Sequence, residues 1–284
     1  MLYFVIITAR HHDYEVKSMK KVIFGILTII LLGISIPAQS AKSPIVNAHS
    51  AVLMDAATGK ILFRKNFLDI MAPASTTKIM TAILALERLS LGKKVCISKN
   101  GATCEGTSVN LVCGEQKTVR ELLYGAMLVS GNDAAVALAE AVSGSESKFA
   151  RLMTNKAKQL GMANTRFKNA SGLPVIGHYS TAYDMALLTR YAMKNRNFAA
   201  IVDTKYKNIS GPRTGTVRKL QNHNKLLWKY PYATGVKTGY TINAGGCLVS
   251  SATHNGKTLI VVVLKTAVIY NDCIKLFNYG FGLK

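Results

Sequence analysis

Residues 234–264 read TGVKTGYTINAGGCLVSSATHNGKTLIVVVL, and this stretch decides the fold. Three β-prone runs, Thr234 to Tyr240, Gly246 to Ala252 and Thr258 to Leu264, are separated by Asn243-Ala244-Gly245 and Asn255-Gly256. Asn and Gly take the positive φ that tight hairpins require, so the runs read as three consecutive antiparallel strands. Toward the N-terminus, Ser50 to Met54 and Lys60 to Arg64 flank Ala57-Thr58-Gly59 and form a second hairpin. Between the two groups the apolar period becomes helical. Pro73-Ala74 leads into Ile79, Ala82, Ile83, Leu86 and Leu89, followed by Val119 to Val129, Asp133 to Val142, Glu146 to Leu160 and Thr181 to Lys194. Val95 to Ile97 and Ser108 to Val112 read as short strands in a Gly-rich excursion, and a last helix spans Asn271 to Tyr279. Strands at both ends with helices between them predict an α+β fold. Its antiparallel five-stranded sheet is flanked by helices, with a helical insertion, in one domain over residues 45–284.

Composition bounds the function. The chain has 284 residues, 49% apolar and 18% charged, which excludes a disordered or coiled-coil protein. Val22 to Ile36 is a nearly unbroken apolar run after Met19-Lys20-Lys21 and before Pro37-Ala38-Gln39-Ser40-Ala41. A basic start, a short apolar stretch and small residues at the cleavage point predict a signal peptide over residues 1–41. The run is shorter than the ~20 residues of a spanning helix. Residues 1–18 contain His11-His12-Asp13-Tyr14-Glu15, unlike a leader's tip, which places the true start at Met19. The protein is then extracytoplasmic, in periplasm or cell wall, and meets a membrane only through an uncleaved leader.

The net charge is +22, and +20 once residues 1–41 are removed. Sixteen basic residues lie between Lys148 and Lys229 against Asp184 and Asp203. No helix-turn-helix, finger or aromatic-interleaved basic platform accompanies them, so nucleic acid is not an expected partner. An anionic envelope polymer suits an exported basic protein, and a plain solvated basic surface is the alternative. Cys96, Cys104 and Cys113 form no C-x-x-C pair and His178, His223 and His254 are scattered, so no metal or other cofactor is expected. An oxidising compartment permits one disulfide among the first three cysteines, and the odd total of five leaves a thiol over.

Three short motifs carry chemistry. In Ser75-Thr76-Thr77-Lys78, Pro73 suits the first turn of a helix, so Ser75 falls at a helix start with Lys78 three residues on, on the same face. A lysine can take a serine's proton if burial or another cation lowers its pKa. The pattern alone is weak, because Ser145-Glu-Ser-Lys148 matches it too. Ser130-Gly131-Asn132 joins two helical patterns, where a hydroxyl and an amide either project into a cleft or cap a helix. Lys237-Thr238-Gly239 lies in a strand, and its glycine lets an extended substrate approach the strand edge.

In this order, on these elements, the trio resembles the signature of the penicillin-recognising serine enzymes. More narrowly, the chain resembles the D-alanyl-D-alanine carboxypeptidases among the low-molecular-mass penicillin-binding proteins. The matching stretches include Met54 to Lys60, Pro73 to Met80, Ser130 to Ala135, Ser171 to Pro174 with His178 to Ala182, Gly235 to Thr241 and Leu276 to Phe281. The resemblance implies a β-lactamase/transpeptidase-like fold and a serine hydrolase acting on peptidoglycan stem peptides, with β-lactam antibiotics as covalent inhibitors. It implies Ser75 as nucleophile, Lys78 as its base and Ser130 as proton donor to the leaving amine. Asn132 would hold the peptide, Lys237, Thr238 and Gly239 would face the substrate, and the backbone of Tyr240 would help form an oxyanion hole.

Two departures stand out. Ile269 precedes Tyr270-Asn271-Asp272 where relatives carry an Arg for the terminal carboxylate, with Lys265 as a speculative substitute. The sequence also stops three residues after Phe281, which predicts neither the β-rich second domain nor the amphipathic anchor of larger relatives, and brings a D,D-endopeptidase into view as the alternative enzyme. For Trp228 and Tyr230, just before the third motif, core packing is the default and a place in the cleft the alternative.

Overall fold

The apolar run Leu259–Leu264 alternates between two buried faces, which is why it reads as a solid hydrophobic block. Ile260, Val262 and Leu264 join Val52, Met54, Cys247 and Val249 in a core shared with the helical insertion. Leu259, Val261 and Val263 join Ala51, Leu53, Leu248 and Ala252 against Cys273, Leu276 and Phe277. Burying each such side chain contributes about 1.5–3 kcal/mol, so both layers are held through this one strand.

The computed structural model of the chain describes residues 43–283. The expected leader over residues 1–41 and the choice of Met19 as start lie outside the described residues. Among the described residues nine strands run in chain order: β1 (Ser50–Asp55), β2 (Ile61–Lys65), β3 (Lys94–Cys96), β4 (Gln116–Thr118), β5 (Tyr206–Ser210), β6 (Val217–Gln221), β7 (Ala233–Thr241), β8 (Gly245–His254) and β9 (Lys257–Leu264). The main sheet is five-stranded and antiparallel in the order β2-β1-β9-β8-β7, as expected of two N-terminal and three C-terminal strands. Strand β7 is therefore an edge, open on one side.

The helices of the described residues are α1 (Lys78–Arg88), α2 (Lys99–Ala102), α3 (Val119–Leu128), α4 (Asn132–Ser143), α5 (Glu146–Gln159), α6 (Ala182–Ala192), α7 (Arg196–Asp203), α8 (Leu226–Lys229) and α9 (Ile269–Phe281). Helix α9, joined by Leu226 of α8, covers one face of the sheet and the other helices form the insertion. Their starts are set by local chemistry. Thr118 and Glu121 form a capping box on α3, and Ser145, Thr181 and Asn195 cap α5, α6 and α7 with side-chain oxygens. Among the described residues no helix is long and apolar enough to cross a membrane.

Several expectations need correction. Ser108 to Val112 is not a strand, and the partner of β3 is β4. The N–H groups of Val109 and Leu111 donate instead to the buried carboxylate of Asp133, at 3.0–3.1 Å, and Ser108 Oγ donates to it at 2.6 Å. Helix α7 and strand β5, the partner of β6, were not anticipated. All five cysteines are free, so no disulfide joins Cys96, Cys104 and Cys113. Tyr230 is core, stacked on Phe277 at 5.6 Å, whereas Trp228 is 40% exposed.

Candidate active site

Pro73 leads into a 3-10 turn, Ala74–Thr77, which runs straight into α1. Ser75 therefore sits in the turn and Lys78 is the first residue of the helix. The turn is tightened by Thr76, whose hydroxyl donates to Pro73 O at 2.6 Å. Ala74 has φ 48°, an unfavourable value for a residue with a Cβ, costing about 1–2 kcal/mol. Gly172 packs on it so closely that a Cβ there would lie 1.9 Å from Ala74 O, so the turn's shape depends on a glycine about a hundred residues away.

Lys78 is fully buried, and its Nζ lies 3.1 Å from Ser75 Oγ, 2.7 Å from Asn132 Oδ1 and 2.8 Å from Ser171 O. Two of these partners only accept. A neutral amine has two N–H groups and one lone pair, so donating to Asn132 and Ser171 leaves the lone pair aimed at the Ser75 hydroxyl. Burial, and after it the nearby Lys237 ammonium, holds Lys78 well below the ordinary lysine value. Such an amine can remove the proton of a nucleophilic serine.

Asn132 is the first residue of α4, and the turn before it places Ser130 at φ 65°. Helix α4 has no side-chain cap, so neither Ser130 nor Asn132 serves as one. Asn132 is 4% exposed, and besides accepting from Lys78 it donates to Glu105 O at 2.7 Å. Its side chain thus fixes the lysine as well as the loop over it.

Edge strand β7 approaches from the other side. A Cβ on Gly239 would lie 3.0 Å from Ser75 N and 3.1 Å from Ala74 Cβ, so only glycine allows the strand this near the serine. Lys237 is buried and donates to Thr238 O at 2.8 Å, and burial pushes its pKa down to about 7.

Ser75, Ser130, Thr238, Gly239 and Tyr240 line one cleft of about 680 Å³, with Lys265, Ile269 and Tyr270 at its far side. Lys78, Asn132 and Lys237 lie buried next to it rather than on its wall. The sequence-derived set is therefore brought together as five cleft-lining residues and three buried supports. Sequence reasoning missed the roles of Ser171 O, Asp133 and Thr77. Thr77 Oγ1 lies 3.0 Å from His178 Nε2, and Lys168 N donates to His178 Nδ1, so the ring carries its proton on Nε2 and donates it to Thr77. Burial lowers the His178 pKa to about 4, keeping the ring neutral as a loop tie. Thr181 caps α6, and in its first turn the Asp184 carboxylate accepts from Asn164 N and Thr165 Oγ1.

A five-stranded antiparallel sheet whose edge strand closes a cleft over a serine–lysine pair defines a serine enzyme of the penicillin-recognising class. Comparison with known proteins narrows this. The model of the D-alanyl-D-alanine carboxypeptidase family, peptidase S11, matches residues 37–267, and the chain belongs to that family. It is 41% identical to the D-alanyl-D-alanine carboxypeptidase DacF of Bacillus subtilis over 255 residues, which cover 87% of this chain and 65% of DacF. The chain thus spans just under two thirds of that relative. The Streptomyces K15 DD-transpeptidase structure superposes with a TM-score of 0.81 at 37% identity, covering 86% of this chain and all of that one. A D-alanyl-D-alanine carboxypeptidase structure from Mycobacterium tuberculosis H37Rv superposes at 0.82 with 32% identity, covering 87% and 96%.

Proposed function

We propose that this protein is a serine-type D-alanyl-D-alanine carboxypeptidase that trims peptidoglycan stem peptides outside the cytoplasm, exported by the leader in residues 1–41. The observation that carries the reading is the buried, proton-poor Nζ of Lys78 at 3.1 Å from Ser75 Oγ. Ser75 Oγ attacks the carbonyl of the penultimate D-alanine while its proton passes to Lys78 Nζ. The backbone N–H groups of Ser75 and Tyr240 stabilise the oxyanion. Ser130 gives a proton to the leaving amine, D-alanine departs, and water then cleaves the ester on Ser75. Lys237 and Thr238 face the terminal carboxylate. A β-lactam acylates the same oxygen by opening its ring. Asn132 holds both Lys78 and the substrate peptide.

Cleavage of D,D-crosslinks is a second reading, favoured by one observation. Ile269 presents an apolar side chain on the wall of the cleft, at the position where the family resemblance implies an arginine, and so offers no charge to grip a small leaving D-alanine. Incubating the protein with labelled pentapeptide and with crosslinked dimer, using Ser75→Ala as control, separates the two. Release of D-alanine from pentapeptide supports the first reading. Dimer cleavage without that release supports the second, and loss of neither activity in Ser75→Ala removes both.

A further inference from the structure

A second groove, of about 830 Å³, opens beside the cleft between the β5–β6 hairpin and α8. His223 lines both, and Tyr270 of the cleft links them: its hydroxyl donates to His223 O and accepts from Lys225 N, while Lys229 Nζ lies 5.5 Å over its ring. Trp228 and Tyr206 stand in the groove 40% and 62% exposed, edge to face with centroids 5.6 Å apart. Lys219, Lys225 and Lys229 also line it, and among the described residues no acidic side chain joins them.

Two large aromatics exposed side by side form the kind of contiguous patch that marks a binding surface. The hairpin that carries two of these residues is also rigidly held. Arg218 makes a two-pronged pair with Glu115 at 2.6 and 2.9 Å, and buried Lys117 bonds Glu115 and Ser210. The groove is therefore preformed.

We propose that this groove binds the glycan strand that bears the stem peptide, stacking a sugar ring on Trp228 while the three lysines take carboxylates of stems along that strand. The inference rests on the carboxypeptidase reading for the identity of its ligand. An aromatic face suits the apolar face of a sugar ring, and three ammonium groups repel an amine-bearing acceptor peptide while attracting carboxylates. Continuity with the cleft supports the assignment: His223 lines both, and Tyr270 bonds to His223 and Lys225 between them.

Trp228 is the protein's one tryptophan, so its fluorescence reports on the groove. Full-length Ser75→Ala is titrated with an N-acetylated disaccharide-pentapeptide, with the disaccharide and with the pentapeptide alone, and D-alanine release by the native protein is measured on both peptides. Emission should change with the two sugar-bearing probes and not with the bare peptide. The KM for the sugar-bearing peptide should be about tenfold below that for the bare one, the factor expected of one aromatic anchor. Trp228→Ala should collapse that ratio toward one, Trp228→Phe should keep most of it, and Lys158→Ala, which removes a positive charge outside the groove, should leave it alone. D-alanine release with equal KM values and unchanged emission overturns the groove and leaves the carboxypeptidase reading standing. An emission response to the disaccharide without D-alanine release upholds the groove as a sugar site and overturns the activity. An equal effect of Lys158→Ala overturns the proposal in favour of general charge attraction.

Discussion

Gly239→Ala tests whether the spacing between β7 and the serine turn matters to the chemistry. The new methyl would lie 3.0 Å from Ser75 N, 3.1 Å from Ala74 Cβ and 3.2 Å from Thr76 N, three backbone-borne contacts that cannot rotate away. To restore ordinary contact the strand and the turn must separate by about 0.4 Å. A misplacement of about 1 Å costs on the order of 100-fold in rate, so ~0.4 Å scales to about 1 kcal/mol, or roughly sixfold. The second-order rate of acylation by labelled penicillin should therefore fall about five- to tenfold. Overpacking should lower stability by about 1–3 kcal/mol, a drop of a few degrees in Tm. Gly92→Ala is the control, with open space around its would-be Cβ, and should change neither quantity. If Gly239→Ala acylates within twofold of the native rate at an unchanged Tm, the closeness of β7 to Ser75 has no catalytic consequence and the reasoning fails.

Four further outcomes are expected. Lys78→Ala should cut penicillin acylation by about 10²–10⁴, the range for loss of a general base, and a smaller loss would mean that another group takes the Ser75 proton. The pH profile of kcat/KM should be bell-shaped. As pH falls, Lys78 gains the proton that disables it as a base, and as pH rises through about 7, Lys237 loses the charge that attracts the carboxylate. Lys237→Gln should remove the alkaline limb. Ile269→Arg should lower KM for the pentapeptide about tenfold by adding a charge-assisted hydrogen bond to the carboxylate, and an unchanged KM would remove Ile269 from the account of specificity. Asp133→Ala should lower Tm sharply, by about 3 kcal/mol or more of stability, because the Val109, Leu111 and Ala134 N–H groups lose their acceptor.

The sheet was readable because its determinants are local. β-prone runs, Asn/Gly turns and the switch to helical period each show within a dozen residues, and the antiparallel order follows from them. Ser108 to Val112 was misread because its alternation is real, yet the backbone partner is the side chain of Asp133, which no local pattern reveals. Helix α7 and strand β5 are short, and β5 is mostly polar and exposed, so their periodicity is faint. In the candidate site the three motifs were legible as residue types at fixed spacing. Their supports were not. Gly172 against Ala74, Ser171 O on Lys78 and His178 on Thr77 all join segments about a hundred residues apart. The fates of Trp228 and Tyr230 diverged for a similar reason: Tyr230 meets Phe277 of α9, while Trp228, two residues earlier on α8, faces outward toward Tyr206.

The central claim is that Ser75, activated by a neutral Lys78, forms an acyl-enzyme and releases D-alanine. Mass spectrometry of the full chain, quenched during turnover of a pentapeptide and separately after labelling with penicillin, tests it most directly. The account predicts one covalent adduct in each case, on the peptide containing Ser75, absent from Ser75→Ala, with D-alanine appearing in the pentapeptide reaction. Adducts on another residue, or D-alanine release that survives Ser75→Ala, would contradict it.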